Sequence, residues 1–451
     1  MHDLTEGPIT SHVVKLAVPI AVGMLFQTLY FLIDLYFVSG IGDAAIAGVG
    51  AAGNLTFIVM ALTQVLGVGT VTLIAQAVGR KDHEDASLVF NQSLAIATVC
   101  ALLTVAGGFV FIAPYMRTLG ADAATQAAGI DYLNWYLPGL ALQFAIVAMG
   151  SALRGTGIAK PTMLVQMLTV IINAVLAPVL IAGWGTGHAF GVAGAGLAST
   201  ISISIGVVLL ALYFVKLEKF VGFVPRLWSP RLETWGRILR IGLPAGGEFA
   251  LMFIYLGVIY MVIRDFGSTA QAGFGIGSRV MQAIFLPAMA IAFATSPVAG
   301  QNFGAQRFDR VRETFRSAAL IGSIIMLGLT LICQVKPEWF VHPFSHDPAV
   351  IGVASEFLRY ISWNFVASGL LFTCSGMFQA LGNTVPSLIS SASRLATFAL
   401  PAIWLSRQPG FALHQVWILS MASVALQALF SLWLLRRQFQ RLQPAAVSAP
   451  A

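Results

Sequence analysis

The residues able to do chemistry inside this chain are few. In "FQTLYFLIDLYFVSG", residues 26 to 40, one carboxylate, Asp34, stands in an apolar and aromatic run. Glu248 in "LPAGGEFALMF" and Arg394 in "ISSASRLATFALP" repeat the situation further along, and Arg279 lies in a third apolar stretch. A charge placed in hydrocarbon costs about 2.5–3.5 kcal/mol even on lenient insertion scales, so each of these groups needs a proton, a counter-ion or a route to water. Asp34 has two readings from position alone. It reaches an outer interface, or it is a buried acid with a functional role. Its side chain is too short to snorkel well, and Ile33, Leu35, Tyr36 and Phe37 beside it are bulky. The constellations of an enzyme are missing: there is no nucleophile beside a base, no HExxH string and no pair of intramembrane histidines. His342 and His346 have i, i+4 spacing, but Pro343 between them and a loop setting argue against a zinc pair. Cys100, Cys333 and Cys374 are odd in number and sit in or beside apolar runs, so neither a disulfide framework nor a thiolate metal site is expected. No cofactor is implied.

The elements that must position these groups are membrane helices. Of 451 residues, 58% are hydrophobic and only 10% charged, against roughly 25% charged residues in soluble domains. Apolar runs of about 20 residues or more fall at 13–38, 48–76, 90–113, 129–153, 161–183, 192–215, 241–263, 271–300, 317–335, 352–380, 385–406 and 412–435. Hydrocarbon admits only helices or closed barrels, and these runs are too long for barrel strands. The fold class is therefore all-α and integral to a membrane, with twelve transmembrane helices. With the N-terminus inside, eighteen of the 25 Lys and Arg residues face the cytoplasm, and only Arg117, Arg264, Lys336 and Arg407 face outward. That asymmetry places both termini in the cytoplasm. It also explains the basic charge without nucleic acid.

The chain repeats itself. Adding 225 carries Pro19 onto Pro244, Gly42 onto Gly267, Gly48 onto Gly273, Gln76 onto Gln301, Gly157 onto Gly382 and Pro161 onto Pro386, with no gap. Two six-helix bundles follow, with the same orientation and a pseudo-twofold axis along the membrane normal. The predicted divisions are an N-lobe at 1–215, a cytoplasmic connector at 216–240, a C-lobe at 241–436 and a disordered tail at 437–451. Pro225, Pro230 and the aromatics of the connector predict a surface-lying segment. Asp131 and Glu356 are expected to open spans four and ten, where acids suit helix N-termini. The repeat partner of Asp34 is Ile259, so the acid is not shared architecture. Pro19 and Pro244 each remove a backbone hydrogen bond and favour a bend.

"LAVPIAVGMLFQTLYFLIDLYFVSGIGDAAIAGVG", "AQAVGR" with its counterpart "GQNFGA", "ALRGTGIAKPTMLVQ" and "GVAGAGLAST", in this order and with this repeat, resemble the multidrug and toxic compound extrusion (MATE) transporters from about Val13 to Arg436. The resemblance implies efflux of organic, often cationic, small molecules in exchange for protons or sodium ions, with the cargo site between the halves. It places the coupling carboxylate at Asp34 and matches Tyr136, Asn173 and Ser199 to polar positions around it. Some proton-coupled relatives carry a second Asp where this chain has Ala177, which removes a two-carboxylate cage. Proton coupling is the expected mode, in a monomer of a bacterial inner membrane.

Glu248 and Arg394 lie at similar counted depths, roughly 10 and 14 Å from the inner ends of their spans at 1.5 Å per residue. Their reading is a structural ion pair, with Arg279 as a competitor for Glu248. A C-lobe sodium site at Glu248 is the alternative, as in sodium-coupled relatives. A flippase for a lipid-linked saccharide keeps the fold and changes the cargo; it needs basic residues for pyrophosphate, and only Arg279 and Arg394 lie mid-membrane. A major-facilitator fold lacks its Asp-Arg signature here: "AQAVGRKDHEDA" has the basic pair alone.

Overall fold

A computed structural model describes residues 1–442. Among these residues every regular element is helical: α1 (Ile9–Ser39), α2 (Asp43–Gly79), α3 (His83–Leu119), α4 (Ala123–Gly155), α5 (Lys160–Ala182), α6 (Val192–Lys216), α7 (Leu232–Ile263), α8 (Ser268–Gly304), α9 (Phe308–Val335), the short α10 (Glu338–Val341), α11 (Pro348–Ile361), α12 (Phe365–Ala380), α13 (Val385–Ser406) and α14 (Leu413–Arg441). Twelve spans result, the tenth being α11 and α12 joined through a 3-10 turn at Ser362–Asn364. Several helices outrun their apolar runs because helical hydrogen bonding continues until a cap or turn stops it. The caps correct one expectation. Asp131 and Glu356 lie more than two turns inside their helices, whereas α4 and α11 start at Asp122, which accepts from the Thr125 amide, and at Asp347, which accepts from the Ala349 amide. The tail also differs: 437–441 continue α14, and 443–451 lie outside the described residues.

The repeat is written into the backbone. Gly42 and Gly267, Gly157 and Gly382, and even Lys81 and Gln306 share left-handed φ at the same offset. Gly48 and Gly273 show why small residues recur. A Cβ on Gly48 would sit 2.7 Å from both the Gly129 nitrogen and the Thr125 oxygen of α4, and one on Gly273 would sit 2.5 Å from the Val353 side chain of α11. In the first unit α2 and α4 are the most buried helices, and in the second α8 with α11 and α12. The second unit's core includes Phe274, Phe357 and Trp417, whose rings lie 4.8–5.6 Å apart.

The compact units are residues 1–3 with 18–242, and 4–17 with Leu243 onward. Both breaks, 17/18 and 242/243, are 225 apart and each precedes its helix proline, Pro19 or Pro244, by one residue. By contacts the connector groups with the first unit, and residues 4–17 group with the second. The connector belongs to the first unit, held by two neighbouring amides of α3. Asn91 donates to Gly222 O (2.9 Å) and accepts from the Val224 amide (3.0 Å) and Trp228 Nε1 (2.9 Å). Gln92 donates to Leu227 O (2.5 Å) and Ser229 O (2.8 Å) and accepts from the Arg231 amide (2.9 Å) and Trp235 Nε1 (2.7 Å). Arg237 adds a two-point ion pair to Asp85 at 2.8 and 2.9 Å. In the second unit Gln301 and Asn302 bond the Leu4 backbone at 2.9 and 3.1 Å, and Arg307 and Arg310 donate to the carbonyls of Thr5 and Gly7 at 2.6 and 2.9 Å.

Candidate functional site

The first unit gathers a polar cluster around Asp34. The acid lies five residues before the end of α1, about 7.5 Å in from that end, and is 6% exposed. Asn173 of α5 donates through Nδ2 to Asp34 Oδ1 at 2.7 Å, and Ser199 of α6 donates through Oγ to Oδ2 at 3.0 Å. Asn173 and Ser199 are fully buried, and Tyr136 of α4 is buried beside them. Three residues not singled out from the sequence complete the surroundings. Tyr30, one turn before Asp34 on α1, has a buried hydroxyl with no well-formed hydrogen bond. Tyr132, one turn before Tyr136, sets its ring 5.2 Å from that of Tyr136 at a tilt of 36°, and the Thr56 hydroxyl of α2 neighbours the Tyr136 hydroxyl. The i−4 spacing of the two tyrosines was a usable signal, since residues four apart share a helix face; Thr56 gave none.

The electrostatics of the cluster are one-sided. Both Asp34 oxygens receive neutral donors, and no Lys, Arg or His among the described residues pairs with the carboxylate. Asn173 Oδ1 is buried without a hydrogen-bond partner. Ala177, one turn on from Asn173, is also buried, so its methyl occupies the place a second acid would take. The cluster can hold one proton or one cation on a single carboxylate.

The second unit does not hold the predicted ion pair. Glu248 of α7 accepts from Ser375 Oγ of α12 at 3.1 Å and is hydrogen-bonded by Ser387 of α13. Arg394 instead lies over the ring of Tyr255, its guanidinium carbon 3.9 Å from the centroid. Tyr255 is seven residues after Glu248, and Arg394 is seven after Ser387. Both spacings are two helical turns, about 10 Å, so the two charges occupy different levels. The depth count failed because the two apolar runs do not start at one height: Glu248, seven residues into its run, meets Ser387, which is only two residues into α13. Arg279 is exposed on α8 and enters no ion pair among the described residues, so it does not compete for Glu248. Pro19 and Pro244 both lie inside continuous helices.

Twelve apolar spans in two repeated units make a multi-pass membrane protein, and the family that the chain matches consists of membrane transporters, not enzymes. The sequence matches the MatE family over residues 19–179 and 244–405, and the chain belongs to that family. The two matched segments begin at Pro19 and Pro244, the first aligned pair of the repeat. Among its relatives is the probable multidrug resistance protein YpnP of Bacillus subtilis, 26% identical over 92% of this chain and 91% of that one. Another is the FAD transporter of Shewanella oneidensis, 24% identical over 89% and 88%. A solved structure described as the outward-facing conformation of a multidrug resistance MATE family transporter matches with a TM-score of 0.90 at 27% identity, covering 97% of this chain and 98% of that one.

Proposed function

We propose that this chain is a multidrug efflux antiporter of a bacterial inner membrane, with both termini cytoplasmic, which exports organic, cationic or amphipathic compounds against an inward flow of protons through Asp34. The observation that carries the reading is the carboxylate's isolation: Asn173 and Ser199 hold it in place, yet no fixed cation neutralises it. An ion removed from water without a counter-charge is costly. The acid therefore takes up a proton or a cation whenever either is supplied. A site that binds one or the other, and not both well, makes exchange obligatory. From the outside Asp34 takes a proton, a cationic cargo loses its partner and leaves, and return to the inner side releases the proton. Bending of α1 at Pro19 accompanies this cycle in the proposed scheme.

The energetics suffice. One pH unit supplies about 1.4 kcal/mol and one charge crossing 100 mV about 2.3 kcal/mol. For an uncharged cargo exchanged one for one their sum sustains a gradient on the order of several hundred-fold, whereas a monovalent cation makes the exchange electroneutral and gains the pH term alone, about tenfold per unit. Sodium coupling is the second reading, favoured by the unpartnered Asn173 Oδ1 beside Asp34 and by the partly buried Glu248.

The test is dye efflux from proteoliposomes, driven separately by a pH step and a sodium step, for the wild type and Asp34→Asn. The reading expects pH-driven efflux in the wild type and its loss in the variant. Efflux driven by sodium alone overturns the ion assignment, and full pH-driven activity in the variant moves the coupling group elsewhere.

A further inference from the structure

Arg394 is an uncompensated charge deep in the second unit. It is the tenth residue of the 22-residue α13, about 14 Å from the helix start. Its Nε is buried with no hydrogen-bond partner, and no acid among the described residues lies within ion-pair distance of it. A guanidinium does not escape by losing its proton. The ring beneath it is a fixed platform: Tyr255 is 7% exposed, and its hydroxyl is hydrogen-bonded to Ser420 Oγ of α14 at 2.7 Å. Ser391, one turn earlier on α13, meets Gln427 of α14, whose Oε1 is buried and unpartnered. These neighbours are polar and uncharged. Glu248, the acid nearest in design, is two turns away and satisfied by two serines.

A planar fork of N–H donors, held flat on an aromatic face and without a counter-ion, matches a carboxylate or phosphate oxygen pair. We propose that Arg394 on its Tyr255 platform is an anion subsite for cargo, so that the transported class includes aromatic amphiphiles bearing a carboxylate or phosphate. The subsite lies in the second unit and Asp34 in the first. It rests on the reading of the chain as an exporter of organic compounds, and it deepens that reading by adding zwitterions to the cations.

Two dyes separate the contributions. Rhodamine 110 carries a free carboxylate, and rhodamine 123 is its methyl ester with the same cationic ring system. Their binding is measured by fluorescence polarisation to the full chain in phosphatidylcholine nanodiscs, without any ion gradient, so that a failure of Asp34 coupling leaves the readout untouched. The wild type is expected to bind the acid about tenfold or more tightly than the ester, the worth of one or two charge-assisted hydrogen bonds. Arg394→Gln is expected to abolish that preference by weakening the acid without weakening the ester, and Arg394→Lys to retain part of it. Equal binding of the two dyes by the wild type overturns the proposal, as does an undiminished preference in Arg394→Gln. Loss of both dyes alike in the variants also overturns it, because Arg394 then shapes the unit without reading an anion. In nanodiscs containing one third phosphatidylglycerol the preference should persist. Its disappearance there assigns the guanidinium to lipid phosphate and overturns the cargo role.

Discussion

Replacing Gln92 with Leu strips the connector of four hydrogen bonds at once. The side chain bridges the carbonyls of Leu227 and Ser229, the amide of Arg231 and the indole of Trp235, all at 2.5–2.9 Å. A net 0.5–1.5 kcal/mol for each gives roughly 2–6 kcal/mol; the connector is partly exposed and water replaces some of the partners, so about 3 kcal/mol is the working value. The loss falls on local opening of residues 222–235, because Asn91 and the Arg237–Asp85 pair still anchor the two ends. At 1.4 kcal/mol per tenfold, the open fraction rises on the order of 100-fold. Limited trypsinolysis reads this directly at Arg226 and Arg231, since cleavage of a rapidly reclosing segment tracks its open population. Gln92→Glu, which keeps the acceptor for Arg231 and Trp235 but not the donor, should fall between. Equal cleavage rates in wild type and Gln92→Leu would refute the view that the buried amide holds the connector down.

Gly48→Val should cost at least about 1–3 kcal/mol from overpacking, because the new Cβ meets backbone atoms of α4 that have no rotamer to yield. Gly50→Ala, with nothing within 4 Å of its Cβ, is the control, and thermal unfolding in detergent should separate the two; matching midpoints would count against the close approach. At Asp122, the Thr125 amide and hydroxyl lower the carboxyl below its usual range. The cap is therefore fully present above the ordinary Asp pKa and is lost as pH falls through the lowered value. Protection of the Thr125 amide, relative to its intrinsic exchange rate at each pH, should fall in acid for the wild type, and at neutral pH for Asp122→Ala, but not for Asp122→Asn, which retains the acceptor. Unchanged exchange in the alanine variant would remove the cap from the account.

Much of this molecule is legible in one dimension. Span number follows from hydropathy, which each residue carries locally, and the 225-residue repeat follows from Pro19, Gly48 and their partners, which reappear as shared backbone conformation and as matched close approaches. Residue types and the family resemblance together picked out Asp34, Asn173, Ser199 and Tyr136, and these residues meet in one buried cluster. Counting along a helix yields height alone, and even height only when the runs compared start at one level. Glu248 and Arg394 are nearly level on that count, yet the run of α13 starts deeper than that of α7, so Ser387 meets the acid while Tyr255, two turns on, receives the arginine. Asn91 and Gln92 read as ordinary polar residues near a helix start, because a side-chain amide is informative only once the backbone that it binds has come to it. Composition and repetition determined that the chain crosses a membrane twelve times in two copies. Which charges find partners, and which unit each connecting segment joins, was decided by the azimuth and lateral packing of the helices, quantities that arise only when distant parts of the chain exclude lipid and water together.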